Sequence, residues 1–146
     1  MKTTLLLTMS LLLSLAGFSQ EIPASQVPVS VLKTFKNYFP TASKVEWEKK
    51  LQQFEAEFEI KRVDHKALFD EKGKLIVYKK DIPFSQLPAP VKQAIRKQYK
   101  GFKVDDVQRI ARSGNLYYQV ELDGHSQPDQ KVVFTRDGKI ENAHAY

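Results

Sequence analysis

The stretch "IPASQVPVSV" at residues 22–31 returns as "IPFSQLPAPV" at residues 82–91, with six of the ten positions identical. Proline is rarely a core residue, so a duplicated structural unit explains the repetition better than chance. Apolar residues then follow at a spacing of four, which predicts an amphipathic helix after each stretch. The matching positions are Val31, Phe35 and Phe39 in the first copy and Val91, Ile95 and Tyr99 in the second.

Each predicted helix is followed by segments of period two. "FEAEFEI" at residues 54–60 alternates apolar residues with glutamates, which is typical of a strand with one solvated face, and "YQVEL" at residues 118–122 is its counterpart. Gly73 and Gly138 each mark a hairpin turn at the end of a copy. The predicted fold class is α+β, a tandem repeat of a helix followed by antiparallel strands. Its units are residues 20–80 and 81–146, with the helices packed on one face of the sheet.

Residues 1–19 have the features of a secretory signal peptide. A positive start precedes an apolar stretch at residues 5–15, and Gly17 and Ser19 fit a cleavage site after Ser19, with Gln20 as the alternative last residue. A membrane-spanning helix needs about 20 apolar residues, and this stretch is shorter and is interrupted by threonine and serine. The mature chain is therefore predicted to be periplasmic or secreted, without a transmembrane segment.

The composition excludes several classes of site. The chain has no cysteine, which rules out disulfides, thiolate metal ligands, a cysteine nucleophile and a lipid anchor on cysteine. The net charge of +6 falls to +5 without the leader's lysine, and the two signs are well mixed. We therefore expect neither a nucleic-acid partner nor a cofactor.

The motif "IPxSQxP", the helix that ends near "YFP", the alternating aromatic strand and the closing "FDEKGKLI" together resemble the PepSY-like family. That family is also described as β-lactamase-inhibitor-like, and the resemblance spans residues 22–142. It implies an exported protein of a Gram-negative bacterium without established enzymatic activity. In the inhibitor fold two such repeats stand in tandem, and the sheet forms a concave surface that grips a protein partner. Related PepSY domains are proposed to restrain peptidases. The resemblance assigns no functional residue.

No combination of residues predicts catalysis, so we expect that the chain is not an enzyme. Glu55, Glu57 and Glu59 form a row of carboxylates, but alternation puts them on one solvated strand face where cationic side chains can pair with them. His65 and His125 lie in connections without neighbouring ligands at metal spacing, and no metal site is predicted. A hydrolase that uses carboxylates from two strands is the enzymatic alternative.

One helix in each unit cannot cover both faces of a sheet, so the other face is a candidate recognition surface. Tyrosine and tryptophan contribute strongly to protein contacts. The candidate partner-binding residues are Tyr117, Tyr78, Ile76, Leu68, Val133 and Trp47. As an alternative to partner binding, this face packs against itself or against a second molecule. The alignment of the two repeats is also open by one residue, so that Trp47 corresponds to either Asp106 or Val107.

The sequence therefore predicts a non-catalytic exported module that recognises a protein or peptide. The alternative is a periplasmic protein that binds a small ligand, an ion or the envelope surface. The basic outer side of the second helix is interpreted as a solvated face, with contact with anionic lipid headgroups or glycans as the functional alternative. Within the repeated stretch, we expect Ser25 and Ser85 to cap the helices and Ile22 and Ile82 to be buried.

Overall fold

The computed structural model describes residues 19–141. The predicted signal peptide lies outside these residues except for Ser19, the first residue of β1. This part of the chain contains two α-helices, α1 (Val29–Tyr38) and α2 (Ala89–Gln98), and each follows a short 3-10 helix. The strands are β1 (Ser19–Ile22), β2 (Ser43–Lys50), β3 (Gln53–Ile60), β4 (Val63–Asp70), β5 (Leu75–Asp81), β6 (Lys103–Arg112), β7 (Asn115–Asp123), β8 (Gln130–Thr135) and β9 (Ile140–Glu141).

The predicted fold class, a tandem α+β repeat of a helix followed by strands, is wrong. The structure is mostly one nine-stranded antiparallel sheet in the order β1 to β9, with 50% of the described residues in strands and 21% in helices. The two predicted units are not separate because β5 and β6 pair directly. Their ladder runs from the pair Val77 and Arg112 to the pair Asp81 and Gln108. This ladder joins all nine strands, so that the sheet, rather than a helix-and-strand unit, is the organising element.

Proline sets the start of both helices. Pro28 and Pro88 are the N-cap residues, with φ of −55° and −57°, and their missing N–H groups leave no donor unsatisfied there. The expectation that Ser25 and Ser85 cap these helices is wrong, since neither helix start has a side-chain capping bond. Both serines lie instead in the preceding 3-10 helices.

Both helices pack on the same face of the sheet, each over its own apolar cluster. Phe35 of α1 is central to the first cluster, with ring centroids 5.2 Å from Trp47 and 5.0 Å from Phe58. In the second cluster, Val91 and Ile95 of α2 pack against β6, β7 and β8. Ile22 and Ile82 are buried in the first and second cluster respectively, as expected. Burying such aromatic and branched side chains is the main stabilising term of the fold.

Candidate interaction surface

The sheet has a second face, which carries no helix among the described residues. Along β7, Tyr118, Val120 and Leu122 belong to the second cluster, so the alternating Tyr117 and Gln119 project to the opposite side. The same alternation applies along the other strands. We call this side, formed by the strand residues that alternate with the two core clusters, the helix-free face.

Apolar residues form a floor on the helix-free face. Val77, Ile110 and Val133 are 9%, 0% and 1% exposed, and they belong to neither helix-side cluster. Leu68 lies directly opposite Val77, and Tyr117 lies directly opposite Ile110. Neighbouring side chains of the sheet therefore bury these three apolar positions on a face that carries no helix within residues 19–141.

Three of the predicted partner-binding residues lie on the helix-free face, namely Tyr117, Leu68 and Val133. Tyr117 and Leu68 are half-buried, whereas Val133 is part of the floor. The guanidinium carbon of Arg112 lies 5.9 Å from the centroid of the Tyr117 ring, within the range of a cation–π contact. Ile76 is half-buried at a register shift, where Leu68 pairs with Val77 but Phe69 pairs with Leu75.

Trp47 and Tyr78 do not lie on the helix-free face. Trp47 is 4% exposed, pairs with Ala56 and packs against Phe35, and Tyr78 packs against the first cluster with its ring 5.2 Å from that of Phe39. The expectation that Tyr78 points away from the helices is therefore wrong. A shift of one residue reverses the face of every side chain in a strand, and the alternation of β5 was assigned one residue out of step.

The polar residues of the helix-free face form a connected group across β5, β6 and β7. The Gln108 side-chain amide donates to the Asp81 carboxylate at 2.8 Å, and the Gln119 amide donates to the Gln108 carbonyl at 3.3 Å. Gln119 is 6% exposed, so this chain satisfies a buried amide. Partial burial raises the pKa of the nearby Asp106 carboxyl, and the Asp81 and Glu121 carboxylates raise it further.

Three carboxylates on the same face are close enough to share a cation. One oxygen each from Glu48, Glu55 and Glu57 lies within 4.8 Å of the others. Lysines already neutralise part of this charge, since the Lys50 ammonium lies 2.6 Å from Glu55 and Lys66 forms an ion pair with Glu57. The cluster is thus a set of ion pairs on a strand face, and it does not by itself define a metal centre.

His65 is a buried residue that the sequence did not identify. It was assigned to a surface connection, but it lies in β4 at 5% exposure, and its Nδ1 is 2.7 Å from the Tyr78 hydroxyl. Its ring stacks on that of Phe58 at 5.4 Å. Burial lowers the pKa of His65, and the Lys80 and Arg109 charges lower it further against the opposing effect of Asp64. This histidine supports the helix-side core, to which it adds a titratable group.

Solved structures of Bacteroides proteins share this fold. A protein from Bacteroides eggerthii, described as one of the "putative periplasmic proteins", aligns with a TM-score of 0.73 at 19% identity over 80% of this chain and 86% of that chain. A DUF2874 family protein from Bacteroides uniformis has a TM-score of 0.72 at 24% identity over 82% and 92%. A BLIP-like protein from Bacteroides fragilis has a TM-score of 0.67 at 19% identity over 83% and 85%. At these identities, the likeness establishes the fold.

The family assignment comes from the sequence. The family model described as "Putative beta-lactamase-inhibitor-like, PepSY-like" matches two overlapping segments, residues 17–77 and 65–142, which is consistent with two repeats. No curated protein matches the chain. Among residues 19–141, no helix is both long and apolar enough to cross a membrane. The resemblance found in the sequence is confirmed, and the chain belongs to the PepSY-like, β-lactamase-inhibitor-like family.

Proposed function

We propose that this protein is a non-catalytic exported module that binds a protein or peptide partner on its helix-free face. The observation that carries the proposal is a sheet face that neither helix covers, on which the half-buried Leu68 and Tyr117 flank a buried apolar floor. The floor consists of Val77, Ile110 and Val133. Protein interfaces combine such an apolar centre with a polar rim and with aromatic and arginine contacts. Tyr117 and Arg112 supply contacts of that kind beside the floor.

Two further observations support the proposal. The family is described as β-lactamase-inhibitor-like, and one structural relative is described as BLIP-like, so inhibition of a protein target is the family's stated analogy. One fold can host many functions, so the function of this chain is inferred from the residues of its helix-free face. Export rests on the leader-like residues 1–19 and on the relative described as periplasmic.

The experiment is capture of partners from periplasmic extract with the exported protein, using paired surface variants. Tyr117→Ala removes an aromatic contact from the helix-free face. Tyr38→Ala is the matched control, because Tyr38 is 63% exposed on α1, on the other side of the sheet. We expect Tyr117→Ala to weaken capture at least tenfold, as truncation of an aromatic interface residue does when it costs about 1.4 kcal/mol or more.

Two outcomes would contradict the proposal. Capture that Tyr38→Ala abolishes and Tyr117→Ala leaves intact would move the binding site to the helix side. Equal capture by both variants and the parent protein would show that the helix-free face does not bind the partner. Circular dichroism of each variant checks that the sheet is intact.

Contact with an anionic envelope surface is the second candidate function, and it rests on one observation. Arg96, Lys97 and Lys100 are all exposed on or just after α2, where they form a basic outer side. Binding to vesicles that contain phosphatidylglycerol tests it. Lys97→Glu with Lys100→Glu should abolish that binding, and retention of binding would exclude α2 as the contact.

A further inference from the structure

Charge is segregated between the two sides of the sheet. The chain as a whole is basic, with 23 lysines and arginines against 17 aspartates and glutamates. By strand register, thirteen of the acidic residues lie on the helix-free face, against seven basic ones, which makes this face net acidic. The acidic residues are Glu21, Glu46, Glu48, Glu55, Glu57, Glu59, Asp64, Asp70, Asp81, Asp106, Glu121, Asp123 and Glu141. The basic ones are Lys44, Lys50, Lys66, Lys79, Lys103, Arg112 and Lys131.

The helix side of the same strands has the opposite sign. Lys49 extends over the Phe54 ring at 6.0 Å, and Lys80 and Arg109 are direct cross-strand partners on that side. Apart from Asp105, which has no register partner at the bulge of β6, no acidic residue of the described strands alternates into this set. Charged side chains of either sign are equally suitable on a solvent-exposed strand face, so solvation alone does not separate acidic from basic residues. Sorting the signs by face is therefore an additional feature of this chain.

The sorting places like charges directly opposite each other, which destabilises a sheet. Five cross-strand pairs on the helix-free face are acidic at both positions. They are Glu21–Glu48, Glu46–Glu57, Glu48–Glu55, Glu59–Asp64 and Asp106–Glu121. Folding alone does not favour such pairs, and local rules of this kind are broken mainly at functional sites.

The ion pairs on the face offset only part of this repulsion. Lys50 lies 2.6 Å from Glu55 and 3.6 Å from Glu48, and Lys44 lies 2.7 Å from Glu59. The pKa of the Asp106 carboxyl stays raised, first because of partial burial and then because of the Asp81 and Glu121 carboxylates. Negative charge therefore remains concentrated along β1–β3 and around Asp106, whereas the floor residues Val77 and Ile110 lie opposite Arg112 and Lys79.

We infer that the helix-free face takes a cationic segment of a partner protein, one that carries lysine or arginine beside an apolar side chain. The inference rests on the proposed function, because it names the chemistry of the partner for the same face. Charge complementarity argues for it: cationic side chains of the partner relieve the opposed acidic pairs, and an apolar side chain of the partner packs on the half-buried Leu68 and Tyr117. Association is then steered by charge and weakens with salt.

Three synthetic peptides test the inference, and they share one apolar pattern. Ten-residue peptides of alternating leucine with lysine, serine or glutamate are titrated against the exported protein by isothermal calorimetry. We expect the Leu-Lys peptide to bind at 20 mM NaCl, to bind at least tenfold more weakly at 300 mM NaCl, and to exceed both other peptides at least tenfold. Equal binding of the Leu-Ser and Leu-Lys peptides would leave peptide recognition standing and overturn the cationic partner. Absence of binding by the Leu-Lys peptide would also overturn it.

Charge variants then assign the face. Glu21→Lys with Glu46→Lys reverses two exposed acidic residues of the helix-free face, and Glu71→Lys with Asp137→Lys makes the same charge change at exposed turns. The first pair should weaken Leu-Lys binding at least tenfold and the second less than threefold.

Equal losses would mean that net charge alone governs binding and would overturn the inference. Self-association at low salt, measured by sedimentation and abolished by Glu21→Lys with Glu46→Lys, would identify a second copy as the occupant and would overturn it too. Loss of peptide binding in Tyr38→Ala but not in Tyr117→Ala would instead refute the proposed face itself.

Discussion

The backbone of Gly73, in the turn between β4 and β5, lies against the backbone of Ser30 in the first turn of α1. A methyl group placed on Gly73 would lie 2.6 Å from the Ser30 carbonyl oxygen, and Gly73 has a φ of +84°. The Ser30 hydroxyl donates to the Glu71 carbonyl at 3.0 Å in the same contact. A methyl group placed on Gly138 would likewise lie 2.6 Å from the Pro90 carbonyl oxygen of α2. Each helix is thus held at its first turn by the tip of a hairpin.

Replacing Gly73 by alanine tests this contact, and Gly114 provides the matched control. Both glycines have positive φ, but a methyl group on Gly114 would meet nothing within 4 Å. Gly114→Ala should cost only the left-handed backbone strain, about 1–2 kcal/mol. Gly73→Ala should cost about 1–3 kcal/mol more in urea unfolding, because the backbone of α1 cannot move away without loss of core packing. Equal losses for the two variants would show that the contact with Ser30 is not tight.

The hydrogen bond between His65 and Tyr78 predicts a second stability difference. Tyr78→Phe leaves the Nδ1 of a histidine that is 5% exposed without its partner. The free energy of unfolding should fall by about 1–3 kcal/mol, the cost of an unsatisfied buried polar group. Tyr38→Phe removes a hydroxyl at an exposed position and should change the free energy of unfolding by less than about 0.5 kcal/mol. An unchanged free energy of unfolding in Tyr78→Phe would contradict a stabilising hydrogen bond between Tyr78 and His65.

His65 also predicts a loss of stability in mild acid. Its pKa in the folded protein lies below the ordinary value of 6.5, because burial and then Lys80 and Arg109 disfavour the charged form more than Asp64 favours it. As the pH falls below 6.5, the unfolded chain binds the proton first, so the free energy of unfolding declines. Urea unfolding at pH 7.5, 6.5 and 5.5 measures this decline. His65→Phe should flatten it, and an unchanged slope in that variant would assign it to other groups.

Asp106 predicts a gain in stability. Its pKa is raised above 3.8 in the folded state, so its contribution to stability is present below that pH and is lost as the pH rises through the folded pKa. Asp106→Asn should therefore stabilise the protein at pH 7 by about 0.2–1 kcal/mol, the range of cross-strand pairs. The gain should vanish near pH 3. Glu71→Gln, at an exposed turn, is the charge-matched control and should give no gain. A loss of stability in Asp106→Asn would contradict the reported crowding of carboxylates.

Local patterns predicted the elements but not how they assemble. Alternation correctly placed Phe54 and Phe58 toward the helices, and the repeated stretch correctly located Ile22 and Ile82 as buried anchors. No local pattern encodes which strands pair, so the β5–β6 ladder, which makes one nine-stranded sheet instead of two helix-and-strand units, was not predicted. The floor residue Ile110 was missed for the same reason, because its burial depends on neighbours from other strands.

Trp47 and His65 show that a small error in strand register or in a strand end changes the predicted environment of a single residue. The register of Trp47 was open by one residue, and the structure places it, like Val107, in a helix-side cluster. His65 was interpreted as a loop residue because the apolar alternation starts only at Ala67, whereas β4 begins at Val63. Polar residues at strand ends carry no hydropathy signal, and tertiary pairing decides their burial.

Methyl NMR of the protein with its captured partner tests the central claim most directly. The methyl groups of Val77, Ile110 and Val133 report on the helix-free face, and those of Val31 and Val91 report on the cores beneath α1 and α2. On titration with the partner, we expect the first set to shift with saturation and the second set to stay unchanged. Shifts confined to Val31 and Val91, with the floor methyl groups unmoved at saturation, would contradict binding on the helix-free face.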